Sequence, residues 1–204
     1  MNFLAHIYLS GNNEGITLGN FMADGVKGKQ YETFPKDIQI GILLHRHIDT
    51  FTDAHPIVRQ STKRLHKNYS HYSGVIVDIL YDHFLAKNWH LYSDIPLDVF
   101  VDRFYESLRT NFETLPTRIQ KMMPYMIAEN WLLNYAYIEG IQNVLNGMNR
   151  RTNNISQMNN ATLELKQYYV EFENEFTAFF EELRSFSELK RKELEATFNK
   201  EYYL

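Results

Sequence analysis

Three observations predict an all-α fold. Proline and glycine are scarce, 5 and 9 in 204 residues, which disfavours a turn-rich β architecture. Apolar residues recur at helical spacing over runs longer than a strand. The best strand candidate, Val75-Ile76-Val77, lies inside an unbroken apolar stretch from Ser73 to Trp89, and that stretch reads as a buried helix.

The elements follow in order. Asn2 to Leu9 places Phe3, Leu4, Ile7 and Tyr8 at helical spacing, and the Ser10-Gly11-Asn12-Asn13 run ends it. Ile16 to Val26 reads as a second helix, stopped near Gly25 and Gly28. Pro35 opens a third, Lys36 to about Thr52; His55-Pro56 breaks it and starts a fourth, to about Lys67. After the Ser73–Trp89 helix, Pro96 starts another to about Phe112. Pro116 and Pro124 punctuate a region that stays helical through Met126–Leu133 and Ile138–Met148. Residues 153–160 read as a polar loop. From Ala161 onward a long charged helix or helix pair is expected, its packed face drawn from Leu163, Tyr169, Phe172, Phe176, Phe179 and Phe180. The length suggests one multi-helix domain, at roughly 150 residues per domain. Its motif-bearing part is 1–150, and a helical extension spans about 155–204.

Composition excludes several classes. Cysteine is absent, which removes disulfides, thiolate zinc sites and a Cys nucleophile. A net charge of −4 argues against a general nucleic-acid binder. The N-terminus lacks the basic region of a signal peptide, and no apolar window is long enough to span a membrane. A cytoplasmic protein is expected. Walker A, GxSxG and GxGxxG motifs are missing.

The chemistry concentrates at the N-terminal end. All 8 histidines lie between His6 and His90, interleaved with Asp24, Asp37, Asp49, Asp53, Asp78 and Asp82. His45 and Asp49 share a helix face, as do Asp78 and Asp82. A carboxylate on so apolar a helix is costly to bury unless paired or bound to a cation. Asp82 and His83 are adjacent, pointing about 100° apart. Imidazoles with carboxylates suit divalent ions such as Mn, Fe, Mg or Zn. The bland alternatives are a plain His45–Asp49 hydrogen bond, a structural network of Asp78 and Asp82 with Arg46 or lysines, and a satisfied core histidine at His6. His47, His66, His71 and His90 read as solvated. Arg59, Lys63 and Lys67, with Arg64 beside them, form a basic stripe on one helix, either a solvated face or a dock for an anionic partner. Arg150-Arg151 could grip a phosphate.

Several ordered blocks resemble the bacterial acyl carrier protein phosphodiesterases. They are Met1-Asn2-Phe3-Leu4-Ala5-His6, Gly19-Asn20-Phe21-Met22-Ala23-Asp24, Gly41-Ile42 through His45-Arg46-x-Ile48-Asp49-x-x-Thr52-Asp53, Tyr81-Asp82-His83-Phe84-Leu85, and Asn143-Val144-Leu145-Asn146-Gly147-Met148. The blocks cover residues 1–150; beyond that the likeness is one of character. The resemblance implies an all-α relative of the metal-dependent HD-domain phosphohydrolases. It implies removal of the 4′-phosphopantetheine arm from holo-acyl carrier protein, with a divalent cation, typically Mn²⁺ (Mg²⁺ or Fe²⁺ as alternatives). The D-H order of Asp82-His83 departs from the H-D of that superfamily. The implied metal ligands are His6, Asp24, His45, Asp82 and His83, and the implied catalytic groups Asp24, His45, Arg46, Asp49 and Asp78. Asp49 or Asp78 would hold a second metal or act as base. Arg46 and one of Arg150 or Arg151 would neutralise the phosphoryl oxygens, and His6 or His45 would protonate the leaving oxygen. The Arg59, Lys63, Arg64 and Lys67 stripe would dock the acidic carrier protein. Two other readings stay open: a phosphohydrolase of nucleotides or small phosphate esters, and a non-enzymatic helical binding module.

Overall fold

A computed structural model describes residues 1–200. The described residues form α-helices and short 3-10 turns, with no strand. α1 (Phe3–Leu9), α2 (Glu14–Met22), α3 (Lys36–Ala54), α4 (Pro56–Tyr69) and α5 (Ser73–Lys87) make up the N-terminal half. They are followed by α6 (Leu97–Thr110), α7 (Thr117–Ala128), α8 (Trp131–Asn134), α9 (Ile138–Arg151), α10 (Thr162–Gln167) and α11 (Tyr169–Lys200).

Helix starts obey local chemistry. Asn13 caps α2 by accepting the Ile16 N–H at 3.0 Å. Pro56 opens α4, where its missing N–H costs no helix bond. Pro35, Pro96 and Pro116 stand immediately before α3, α6 and α7. Pro124 does not punctuate as expected: it lies inside α7, which continues to Ala128 with Met123 and Met126 buried. Their packing holds the helix through the one bond Pro removes.

α5 is mostly apolar, is buried from Ile76 to Ala86 except at Asp78, and runs through the interior. Beside it, Phe172, Phe176, Phe179, Phe180 and Leu183 form one fully buried stripe of α11. The C-terminal stretch therefore contributes to the core along this stripe. Leu163, expected on the packed face, is 67% exposed: α10 and α11 are separate helices, so the two apolar patterns do not share a register. Residues 201–204 of the expected extension lie outside the described residues. No helix among the described residues is long and apolar enough to cross a membrane.

One contact positions the site. A Cβ at Gly19 would stand 2.2 Å from the Ile38 carbonyl oxygen, and one at Gly41 would stand 2.1 Å from that of Ile16. Only glycine lets α2 and α3 touch backbone to backbone here. That contact brings Asn20 of α2 against His45 of α3.

Candidate active site

Four segments converge on one cluster. α1 supplies His6, α2 Asn20, the 3-10 turn Ala23–Gly25 supplies Asp24, and α3 supplies His45 and Asp49. His45 Nε2 lies 3.1 Å from Asp49 Oδ2 and 3.4 Å from Asp24 Oδ1. His6 Nε2 lies 3.3 Å from Asp49 Oδ1. The two imidazoles stack with centroids 4.0 Å apart. Both are buried, while Asp49 is half-buried and Asp24 exposed. One ligand atom each from His6, His45 and Asp49 falls within 4.8 Å of the others. On the far side of each ring, His45 Nδ1 donates to the Asn20 carbonyl at 2.8 Å, and His6 Nδ1 lies 2.8 Å from Asn20 Oδ1.

Electrostatics couples the group. Burial opposes protonation of His45, but hydrogen bonds to Asp24 and Asp49 outweigh it and lift its pKa to about 9. Burial would raise Asp49; its pairing with His45, and with His6 whenever that ring is protonated, wins and holds it well below the usual carboxylate range. The His45 hydrogen bond likewise lowers Asp24. Burial, with His45 alongside, drops His6 to about 4. Two imidazole nitrogens and the Asp49 carboxylate form a donor set that could hold a metal ion. Each histidine has its second nitrogen anchored, as metal-binding imidazoles generally do.

The cluster opens into a cavity of about 870 Å³. Asp53 and Asp78 add to its acidic side. The Met1 α-amino group pairs with Asp78 at 3.0 Å. Arg118, Arg150 and Arg151 also line the cavity, with Trp131, Val144 and Met148 as an apolar wall.

The comparisons with known proteins decide the family. Residues 1–183 match the family model described as "Acyl carrier protein phosphodiesterase". The chain belongs to this family. Proteins named acyl carrier protein phosphodiesterase include one from Escherichia coli O157:H7, 35% identical over 195 residues, covering 95% of this chain and 100% of the relative. One from Photorhabdus laumondii is 31% identical over 184 residues (88% of this chain, 91% of the relative). One from Yersinia pestis is 31% identical over 181 residues (88% and 94%). No solved structure matches.

The phosphodiesterase-family blocks divide sharply in space. The first three bring together His6, Asn20, Asp24, His45 and Asp49. Asp82 and His83, expected as ligands, stand apart from that cluster. Asp82 is fully buried and accepts the N–H groups of Leu4 at 2.7 Å and Ala5 at 3.3 Å. Burial pushes its pKa up to about 7. His83 donates from Nδ1 to the Tyr135 carbonyl, and its Nε2 meets the Tyr169 hydroxyl, both at 2.8 Å. Arg46 donates to the Gly28 carbonyl at 2.7 Å and covers the Tyr31 ring, so it turns away from the cavity. Asp78 lines the cavity, and so do Arg150 and Arg151. In the basic stripe, Arg64 turns inward and binds Glu175 through both terminal nitrogens at 2.7 Å. Arg59, Lys63 and Lys67 stay exposed and, with Thr62 and His66, line a shallow surface recess. Sequence reasoning missed Asn20 and Arg118. Asn20 stood inside a quoted block; Arg118 carried no signal beyond its place after Pro116.

Proposed function

We propose that this chain hydrolyses the phosphodiester linking the 4′-phosphopantetheine arm to a serine of holo-acyl carrier protein, releasing the apo-protein. The supporting observation is the convergence of His6, His45 and Asp49, with Asp24, at a cavity that also carries Arg118, Arg150 and Arg151. The relatives' names supply the substrate.

His6, His45, Asp49 and Asp24 would hold a divalent ion, Mn²⁺ by the family resemblance, with Mg²⁺ or Fe²⁺ suiting the same donors. When bound, such an ion would supply activation of water and polarisation of a phosphoryl oxygen. Asp24, exposed and kept ionised, orients the attacking water by accepting its hydrogen bond. Arg118, Arg150 and Arg151 draw the phosphate in and offset charge on its oxygens. Trp131, Val144 and Met148 offer the slender arm an apolar wall. Both imidazoles commit both nitrogens, one to Asn20 and one to the cluster, so neither is free to protonate the leaving serine oxygen. That oxygen belongs to a protein held outside the cavity, and its proton comes from water at the mouth. The exposed Arg59, Lys63 and Lys67 are the proposed dock for the acidic carrier. The proposed location is the cytoplasm, with that substrate.

The test is mass spectrometry of holo-carrier protein incubated with the purified protein, with and without Mn²⁺, beside a panel of nucleotides and small phosphate esters. Mn²⁺-dependent conversion of holo to apo carrier is the expected result. Hydrolysis of the panel alone would move the assignment to a small-ester phosphohydrolase. No hydrolysis and no bound metal by elemental analysis would overturn it.

A further inference from the structure

Asn20 binds both imidazoles at their Nδ1 atoms, away from the carboxylates, and makes four contacts. Its backbone carbonyl accepts from His45 Nδ1 and its Oδ1 faces His6 Nδ1, each at 2.8 Å. Its Nδ2 donates to the His6 carbonyl at 2.9 Å and to Ser10 Oγ at 3.0 Å. The residue is fully buried.

The bonds allow one arrangement of protons. The His6 carbonyl can only accept, so the Asn20 amide must point Nδ2 toward it. Turning the amide over would set Oδ1 against that carbonyl at 2.9 Å. Oδ1 therefore faces His6, and His6 Nδ1 must carry a proton to meet it. In the neutral ring, Nε2 is then left with its lone pair. That nitrogen faces Asp49 Oδ1 at 3.3 Å and the Met1 carbonyl at 3.2 Å. Both are acceptors and, acting alone, would pull the proton onto Nε2. The site so built sets the bare Nε2 within 3.3 Å of two other electron-pair donors, an arrangement that a cation would relieve.

We infer that Asn20 is a positioning residue that fixes His6 in the Nδ1–H tautomer, against the pull of Asp49 and the Met1 carbonyl, so that Nε2 is bare and ready to ligate. Its link to His45 runs through the backbone carbonyl, which any residue would supply; its link to His6 runs through the side chain, which only a suitable residue supplies. The two histidines thus respond differently to substitution at one position. The inference rests on reading the cluster as a cation site, but the tautomer can be measured without any cation.

The experiment is long-range ¹⁵N NMR of the histidine rings in metal-free protein, joined to Mn²⁺ titration of wild type, Asn20→Ala and Asn20→Asp. Wild type is expected to show His6 protonated on Nδ1 alone. Asn20→Ala should move that proton to Nε2 and weaken Mn²⁺ binding about 10- to 100-fold. Asn20→Asp keeps an acceptor facing His6 Nδ1 but sets its other oxygen against the His6 carbonyl, so it should hold the proton on Nδ1 at a cost in stability. A wild-type His6 protonated on Nε2 overturns the inference without need of any variant, which covers an Asn20→Ala protein that does not fold. An Asn20→Ala protein with unchanged tautomer and affinity overturns it as well. A wild-type Nδ1–H His6 with no Mn²⁺ binding would sink the metal reading and leave the role of Asn20 standing.

Discussion

Asp82 accepts the Leu4 N–H at 2.7 Å across 78 residues of chain. With the Ala5 N–H on its other oxygen, this carboxylate satisfies donors that the first turn of α1 leaves unpaired. When ionised it places negative charge at a helix N-terminus, where the dipole favours it and partly offsets the cost of burial. α1 is short and carries His6, so Asp82 governs the site from behind. Asp82→Ala should cost about 3 kcal/mol of stability by stranding buried donors. Asp82→Asn, which keeps one acceptor oxygen, should cost less. Denaturant unfolding of both variants checks this, and an undestabilised Asp82→Ala would refute it.

His45 and Asp49, rather than the adjacent Asp82 and His83, should control metal binding. His45→Ala and Asp49→Ala are expected to lower Mn²⁺ affinity and holo-carrier hydrolysis by at least about 100-fold. His83→Phe loses the bonds to Tyr135 and Tyr169, so it should lower stability by about 1–3 kcal/mol while still binding Mn²⁺. Calorimetric titration of the three variants separates the cases. Loss of the metal from folded His83→Phe would count against this assignment.

pH acts on the cluster with two signs. In the metal-free protein the raised His45 pKa contributes stability that is complete below the ordinary value of 6.5 and is lost as pH rises toward about 9. The lowered Asp49 pKa contributes stability present above the ordinary 3.8 and lost as pH falls below it. Metal binding needs His45 unprotonated, so a bound ion displaces one proton. Mn²⁺ affinity should therefore rise about tenfold per pH unit from pH 6.5 to 8.5. Titrations in buffers of different ionisation enthalpy should report one proton released. A flat affinity over that range would contradict the assignment.

The fold was more legible than the site because helix starts are local events. Asn13, Pro35, Pro56, Pro96 and Pro116 each act on their own turn, and the apolar period supplies the rest. Pro124 misled because buried neighbours held the helix together across it. Site residues depend on contacts between segments. Asn20 and His45 meet because α2 and α3 touch at Gly19 and Gly41, and His6 joins them from α1 through Asn20, a relation that spacing along one helix cannot express. Asp82 and His83 look like a pair in the chain, yet both lie on the buried stretch of α5. Neighbours pointing about 100° apart reach different parts of the interior, Asp82 toward α1 and His83 toward Tyr135 and Tyr169. The same turn separates Lys63 from Arg64: the lysine stays in solvent, while the arginine folds back onto Glu175.

That separation makes the docking proposal testable. An acidic enzyme needs a local cationic surface to attract an acidic protein, and Arg59, Lys63 and Lys67 provide one, four residues apart on α4. The double variant Arg59→Glu, Lys63→Glu should raise KM for holo-carrier protein about tenfold or more with kcat kept. It should also flatten the salt dependence of kcat/KM, because attraction between exposed charges is what salt screens. Arg64→Glu should behave differently. It sets a carboxylate against buried Glu175 and breaks a bidentate pair, so it should lower thermal stability first. Hydrolysis of a small diester, which needs the cavity but no dock, should be unchanged in the double variant. An unaltered KM and salt slope for the carrier would refute the dock. The carrier would then be drawn in by the arginines lining the cavity, and Arg118→Glu or Arg150→Glu would become the variants that raise KM.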